Sequence, residues 1–298
     1  MNCQIIYVLG VEGSAHHGIK PVIEALARQQ ISPETGFHYR VKIAPEPLRY
    51  ALFGTDEKRT IDDPSLVDEV MSIECPNDGF KDVIIQGASF PSGYPEQPNF
   101  RVSRQDEWSQ LTMEEIASSE TALNHPTNLY RMTAAYSKYA EIKFVVLHRN
   151  FLQTIASHSH WDHGIEGHSN VIRGFMLLIS RFLKNHPVDV KTGRKMWTLV
   201  CTDNLESKFH EDSTQVEEVR QRVLTHLTDF LSWEDGNCPH CFDSWVDSSK
   251  DWRNYIRDPK FEILKKHMKE LDGIWPPKND IPEQQCSLQN DMDTAISR

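Results

Sequence analysis

Cys3-Gln-Ile-Ile-Tyr-Val-Leu9 runs straight into Gly10-Val-Glu-Gly-Ser-Ala-His-His17, and Pro21-Val-Ile-Glu-Ala-Leu-Ala-Arg28 follows. The first stretch is short and continuously apolar, the pattern of a strand buried on both faces of a parallel sheet. The last has apolar residues at helical spacing, with Pro21 tolerated in the first turn. Strand, glycine loop and helix in that order make a cradle for an anion, because successive backbone N–H groups and the positive helix end converge there. A tight strand–helix turn without a ligand is the competing reading. The loop fits G-x4-[GA]-x-x, but His16 and His17 stand where a nucleotide triphosphatase carries Lys and Ser/Thr. Without the lysine the β- and γ-phosphates lose their fixed cation, and without the hydroxyl magnesium loses a ligand. The third apolar run ends in Gln86-Gly87 rather than a metal-holding Asp, so ATP hydrolysis is disfavoured.

Working outward, Tyr39 to Ala44, Asp82 to Gln86, Lys143 to His148 and Met196 to Cys201 read as further strands. Helical spacing covers Glu114 to Ala140, with a break around Asn124 to Pro126, then resumes near Phe151, from Val171 to Lys184 and from Val216 to Leu231. Residues 45–80 and 90–112 are rich in Pro, Gly and Asp and read as loops with short helices. Alternating strands and helices predict an α/β fold, a doubly wound parallel sheet in a three-layer α/β/α arrangement. Residues 1–275 are expected to form one domain, and the polar stretch 276–298 a disordered tail.

Composition narrows the function. The chain has 298 residues, 39% hydrophobic and 25% charged, enough apolar material for a sizeable core. A formal net charge of −11 argues against a nucleic-acid-binding protein, while a site for a small anion needs only local positive groups. The six cysteines are scattered, which predicts reduced thiols rather than a disulfide framework. Cys238-Pro-His-Cys241 then reads as a surface turn, with half a zinc site as the alternative. No apolar run approaches the roughly 20 residues of a membrane helix. The chain starts on a strand-like run and has no Asn-x-Ser/Thr sequon, so no signal peptide and a cytoplasmic protein are expected. An anchored protein of the secretory pathway is the alternative.

The second informative segment is Lys143-Phe-Val-Val-Leu-His-Arg149-Asn-Phe-Leu-Gln-Thr-Ile-Ala-Ser157. An Arg leaves the carboxyl end of a strand, and a Ser lies eight residues on in the following helix. An Arg fork and a hydroxyl are good donors to a phosphate, and open α/β sheets place ligands at the carboxyl ends of their strands. Here the chain resembles the sulfotransferase family, whose 3′-phosphate motif has this strand–Arg–x7–Ser layout. Cys201-Thr-Asp-Asn-Leu205 with Asp229-Phe-Leu231 is similar to the family's "YEDL … FL" segment, and Ser249-Lys-Asp-Trp-Arg-Asn-Tyr255 to its terminal "GDWKN" stretch. The resemblance runs in order from about residue 3 to residue 257.

That resemblance implies a P-loop NTPase-like, sulfotransferase-type fold and transfer of a sulfuryl group from 3′-phosphoadenosine 5′-phosphosulfate (PAPS). The acceptor would be a hydroxyl or amine on a small molecule or glycan, the product adenosine 3′,5′-bisphosphate (PAP), and no metal would be required. Backbone N–H groups of Gly13, Ser14, Ala15, His16 and His17 would hold the phosphosulfate. Arg149 and Ser157 would hold the 3′-phosphate, helped by Lys250 and Arg253. Two departures stand out. Gly13 replaces the lysine that such enzymes often place on the bridging oxygen, and the Arg-Lys-Gly triplet is absent. Gln86 and Ser89, after the third strand where a base is often found, are poor bases. Catalysis therefore points to His16 and His17, one neutralising the leaving phosphate and the other accepting a proton. Glu12 is the remaining loop acid, and Ser89 to Tyr94, Trp108 and Trp161 are candidate pocket wall.

Two other readings compete. His158-Ser-His-Trp-Asp-His163 spells HxHxDH, the zinc-holding string of metallo-β-lactamase-like hydrolases. The helical stretch Asn150 to Ser157 separates it from the preceding strand, where those proteins have none, and nothing upstream resembles their β-sandwich half. The third reading is a catalytically silent P-loop relative that binds a nucleotide, since a missing lysine is also what decay would leave.

Overall fold

The computed structural model describes residues 2–11, 13–43, 63–90, 111–118, 129–157, 164–254, 259 and 262–276. Five strands, β1 (Cys3–Val11), β2 (Arg40–Ile43), β3 (Asp82–Phe90), β4 (Glu141–His148) and β5 (Trp197–Cys201), form one sheet in the order β2-β3-β1-β4-β5. Every pairing is parallel. Its helices are α1 (His16–Arg28), α2 (Pro64–Glu74), α3 (Met113–Ala117), α4 (Leu129–Tyr136), α5 (Phe151–Ser157), α6 (Gly164–Asn185), α7 (Ser213–Leu231) and α8 (Glu262–Glu270).

The strand alternation explains why the apolar runs are continuous. Along β1, Cys3, Ile5, Tyr7, Leu9 and Val11 enter one core with α2, α4, α5, α6 and α8. Ile6 and Val8 enter the other, with α1 and α7. A strand covered on both faces can expose no polar side chain to water, so both of its registers must be apolar. Ile6, Tyr7, Val8 and Leu9 are fully buried, each aliphatic side chain contributing on the order of 1.5–3 kcal/mol of transfer free energy.

Element types agree with the sequence reading and several boundaries move. Strand β1 runs two residues past Leu9, to Val11, and α1 begins at His16 rather than Pro21. Strand β3 extends to Phe90, so Gln86 and Ser89 lie inside it, not after it. Gln86 is buried opposite Tyr7, where a general base could not meet an acceptor. Helix α6 begins at Gly164, seven residues ahead of Val171, and the reading 45–80 contains the eleven-residue α2, capped by the Asp63 carboxylate. Glu12, Tyr94, Trp108, the 158–163 histidine cluster and residues 277–298 lie outside the described residues.

The reduced-thiol expectation is overturned. Cys3 is bonded to Cys75, with Cα atoms 5.7 Å apart, and Cys238 to Cys241, with Cα atoms 5.4 Å apart. Cys201 is disulfide-bonded as well. Cys3 and Cys75 are 72 residues apart, so only the packing of α2 behind the start of β1 brings them together. The Cys238–Cys241 pair is therefore neither a zinc half-site nor a pair of thiols. Among the described residues no helix is long and apolar enough to cross a membrane.

Candidate functional site

Strand β1 is central, and the chain crosses from the β2-β3 side of it to the β4-β5 side. The crevice outside the carboxyl ends of the strands at such a reversal is where open α/β sheets bind ligands. The glycine loop leaves β1 at that point. Gly13 (φ +85°) and Ala15 (φ +68°) both take the left-handed conformation, one on each side of Ser14. Glycine is required at 13, because a Cβ there would stand 2.5 Å from the Thr154 carbonyl oxygen of α5. Ala15 pays about 1–2 kcal/mol for its conformation. It is the N-cap of α1 and brings no side-chain hydrogen bond to the helix end.

The buried Ser14 turns inward. Its hydroxyl donates to the Val11 carbonyl at 2.6 Å and its amide to the same oxygen at 3.1 Å. Ser14 is thereby spent on shaping the loop, contrary to its expected place among the anion donors. The Ala15 carbonyl accepts from Gly18 and Ile19 and starts α1. His16 opens that helix, its side chain lying outside the described residues, and His17 is exposed beside it. The His17 imidazole is held below its ordinary value, first by partial desolvation and second by the Lys20 ammonium one turn on. It is therefore neutral at neutral pH, which suits a proton acceptor and not a phosphate-neutralising cation.

Arg149 leaves β4 and is buried. Its Nη1 donates to the Gly13 carbonyl at 2.7 Å, its Nε to Asp203 Oδ1 at 3.3 Å, and its Nη2 to Glu206 Oε1. Asp203 and Glu206 come from the turns after β5, and Asp203 Oδ2 also accepts the Asn150 amide at 2.6 Å. Burial pushes both carboxyls above their ordinary values, with Arg149 opposing the shift. The guanidinium, expected on a 3′-phosphate, is thus a tie between the glycine loop, β4 and the turn after β5. Asn150 caps α5, its Oδ1 accepting from the Leu152 amide at 2.8 Å and the Gln153 amide at 3.3 Å.

From Arg149 the network continues to the chain's later part. Glu206 Oε2 faces Lys208 Nζ at 2.7 Å, and Lys208 donates to the carbonyls of Lys250 and Ser248. Gln153, fully buried on α5, donates to the Lys250 carbonyl at 2.9 Å and to Ser157 Oγ at 3.4 Å, and accepts the Trp252 amide at 3.0 Å. Arg253 is half exposed, gripped by Asp251 at 3.0 Å and lying 5.2 Å from the Phe209 ring centre. Its Nη2 reaches the Lys208 carbonyl at 3.4 Å.

Gly13, Arg149, Ser157, Lys250 and Arg253 are therefore joined by hydrogen bonds and the Glu206–Lys208 ion pair, Gly13 and Lys250 entering through their backbone carbonyls, although they span most of the sequence. Lys208, Asp203, Glu206 and Gln153 complete the network and were not singled out from the sequence as site residues. Asp203 carried a signal in the sequence, since it lies in the Cys201 to Leu205 segment that the resemblance covers, and Glu206, Lys208 and Gln153 carried none. Among the described residues no group of three or more His, Cys, Asp or Glu is arranged to hold a metal. The sequence matches no protein-family model and no curated protein.

Proposed function

We propose that this chain is a sulfuryl transferase with a P-loop-like, sulfotransferase-type site, moving the group from PAPS to a hydroxyl or amine of a small-molecule or glycan acceptor. The single observation that carries the reading is the joining of Gly13, Arg149, Ser157, Lys250 and Arg253 at the carboxyl edge of the sheet. The resemblance assigns Gly13, Arg149 and Ser157 to one donor, with Lys250 and Arg253 as substitutes for the absent Arg-Lys-Gly triplet.

The fit is uneven along the donor. The left-handed pair Gly13 and Ala15, opening α1, suits the phosphosulfate end. The 3′-phosphate would be held by Ser157, Lys250 and the exposed Arg253, with Lys208 beside them, because Arg149 is committed to two carboxylates. PAPS would supply an activated sulfur, and transfer would form the acceptor O–S or N–S bond as the S–O bond to the 5′-phosphate breaks. His17, neutral and exposed at the loop, would take the acceptor's proton.

A second reading, a protein that binds the nucleotide without transferring from it, is favoured by the neutralisation of Arg149. The disulfides support a different compartment from the one expected. Disulfides persist in oxidising surroundings and are rare in the cytosol. In this proposal an oxidising compartment therefore replaces the cytoplasmic expectation.

Thermal unfolding with PAP, and with ATP in parallel, tests the reading. A ligand at about 100 times its Kd stabilises by roughly 2.7 kcal/mol. Stabilisation by PAP beyond that by ATP, reduced in Ser157→Ala and Arg253→Ala, together with turnover of PAPS, is the expected result. PAP binding without turnover on any acceptor selects the second reading, and no PAP binding removes both.

A further inference from the structure

We infer that the Cys238–Cys241 bond is a redox switch that sets how Trp245 packs on the first turn of α1, and through that turn the shape of the glycine loop. The inference goes beyond the sulfuryl-transfer reading and meets it in one readout only, the affinity for PAP.

Three observations carry it. The bond joins residues three apart in the sequence, whereas Cys3 and Cys75 are 72 apart. A bridge that closes so short a loop removes little chain entropy, so the fold withstands its opening far better than that of the long one. A reversible switch requires this. Next, both cysteines lie in the core shared by α1 and α7, Cys241 at 1% exposure. Two thiols need more room than a bonded pair of sulfurs, and a close-packed site supplies it only by moving a neighbour. Finally, Trp245 packs against that core and lies across Gly18 of α1. A Cβ at 18 would stand 2.8 Å from the indole Cζ3 and 3.0 Å from its Cε3, so glycine is what lets the ring reach the helix backbone. Between the cysteines and the indole the chain is stiff. The amides of Cys241, Asp243 and Trp245 donate to the carbonyls of Cys238, His240 and Phe242, at 3.2, 3.2 and 2.9 Å.

The contact matters because of what Gly18 holds. Its amide donates to the Ala15 carbonyl at 3.0 Å, and the Ile19 amide donates to the same oxygen at 3.2 Å. Ala15 is left-handed, a conformation that persists in such a residue only where its surroundings hold it. The indole braces that turn. On its other side, Trp245 Nε1 donates to Asp247 Oδ1 at 3.0 Å, and Asp247 Oδ2 accepts the Ser207 amide at 2.9 Å. The chain then reaches Lys250 and Trp252, which are tied to Lys208 and Gln153. Residues 238–254 are thus a strap fastened at the disulfide turn, at Gly18 and at α5. Opening the bond takes a dithiol reductant. Its thiolate attacks the sulfur of Cys238, the more exposed of the pair at 7%, and Cys241 leaves as a thiolate. The reductant's second thiol then displaces Cys238. Two electrons and two protons end on the cysteines, and the reductant leaves as a disulfide.

The test treats the full chain with dithiothreitol in the absence of denaturant, alkylates it and maps the labels by mass, while hydrogen exchange follows residues 13–20. Cys238 and Cys241 should take up label with the circular dichroism of the fold retained. The Gly18 and Ile19 amides should then exchange about tenfold faster and return to their starting rate on reoxidation. A Cys238→Ala/Cys241→Ala chain should show the fast exchange without reductant and no further change with it, which separates this bond from the others. Trp245→Leu should lose most of the response. PAP affinity should fall on reduction and recover on reoxidation. Labelling of the two cysteines only after global unfolding overturns the switch, and so does unchanged exchange at Gly18 and Ile19 once both are labelled. A Trp245→Leu chain that still responds in full overturns the route through the indole. If PAP binds in neither state, the donor reading falls and the exchange result alone decides the switch.

Discussion

Replacing Arg149 with methionine separates the role expected from sequence from the one its surroundings imply. Methionine keeps much of the stem volume and removes the guanidinium, leaving Asp203 and Glu206 buried without their shared partner. Removing one member of a buried ion pair costs about 3–5 kcal/mol. Two features pull the figure toward the lower end. Lys208 still faces Glu206 at 2.7 Å, and both carboxyls already titrate above their ordinary values, so they can take up protons. A loss of about 3 kcal/mol at neutral pH is expected, a large part of the 5–15 kcal/mol that keeps a domain folded. The sign with pH follows from the carboxyls. Acids whose folded-state values are raised destabilise the fold as pH rises through that range, so the variant's deficit should shrink as the solution is made mildly acidic. Adding Glu206→Gln should recover part of the loss at neutral pH. Urea unfolding followed by circular dichroism, at neutral and at mildly acidic pH, measures all three. A loss below about 1 kcal/mol, accompanied by abolished PAP binding, would refute the tie and return Arg149 to the 3′-phosphate.

Burial holds the His267 imidazole of α8 at about 4 against an ordinary 6.5, with Arg173 adding to the shift, and its Nδ1 lies 2.7 Å from the buried Ser169 hydroxyl on α6. A base depressed on folding contributes stability that is complete above 6.5 and is lost as pH falls from there through about 4. About 3 kcal/mol should disappear across that window in urea titrations, and a His267→Gln variant should show much less of this dependence. Thiol counting on unfolded protein should find no more than one free thiol without reductant, since five of the six cysteines are disulfide-bonded among the described residues, and six after reduction. Full reactivity without reductant would remove the argument for an oxidising compartment.

What the sequence determined by itself was local and periodic. The apolar runs of β1, β3, β4 and β5 could only be strands covered on both sides, and strand followed by glycine loop and helix could be read directly from residues 3–28. Gly13 was legible as a turn residue, and the resemblance named Gly13, Arg149 and Ser157, with Lys250 and Arg253 as substitutes, the positions that the hydrogen bonds and the Glu206–Lys208 ion pair join. What only the tertiary structure decided was which partner each polar group meets. Arg149 looks like a ligand-facing Arg from its place after a strand, and nothing local shows that carboxylates 54 and 57 residues away close on it. The same holds for Cys3 and Cys75, which meet only because α2 packs behind the sheet. It holds for Trp245 too, whose ring reaches the first turn of α1 because Gly18 leaves room for it. Backbone periodicity is written within a few neighbouring residues, whereas the pairing of buried charges depends on which strand ends the sheet order sets side by side.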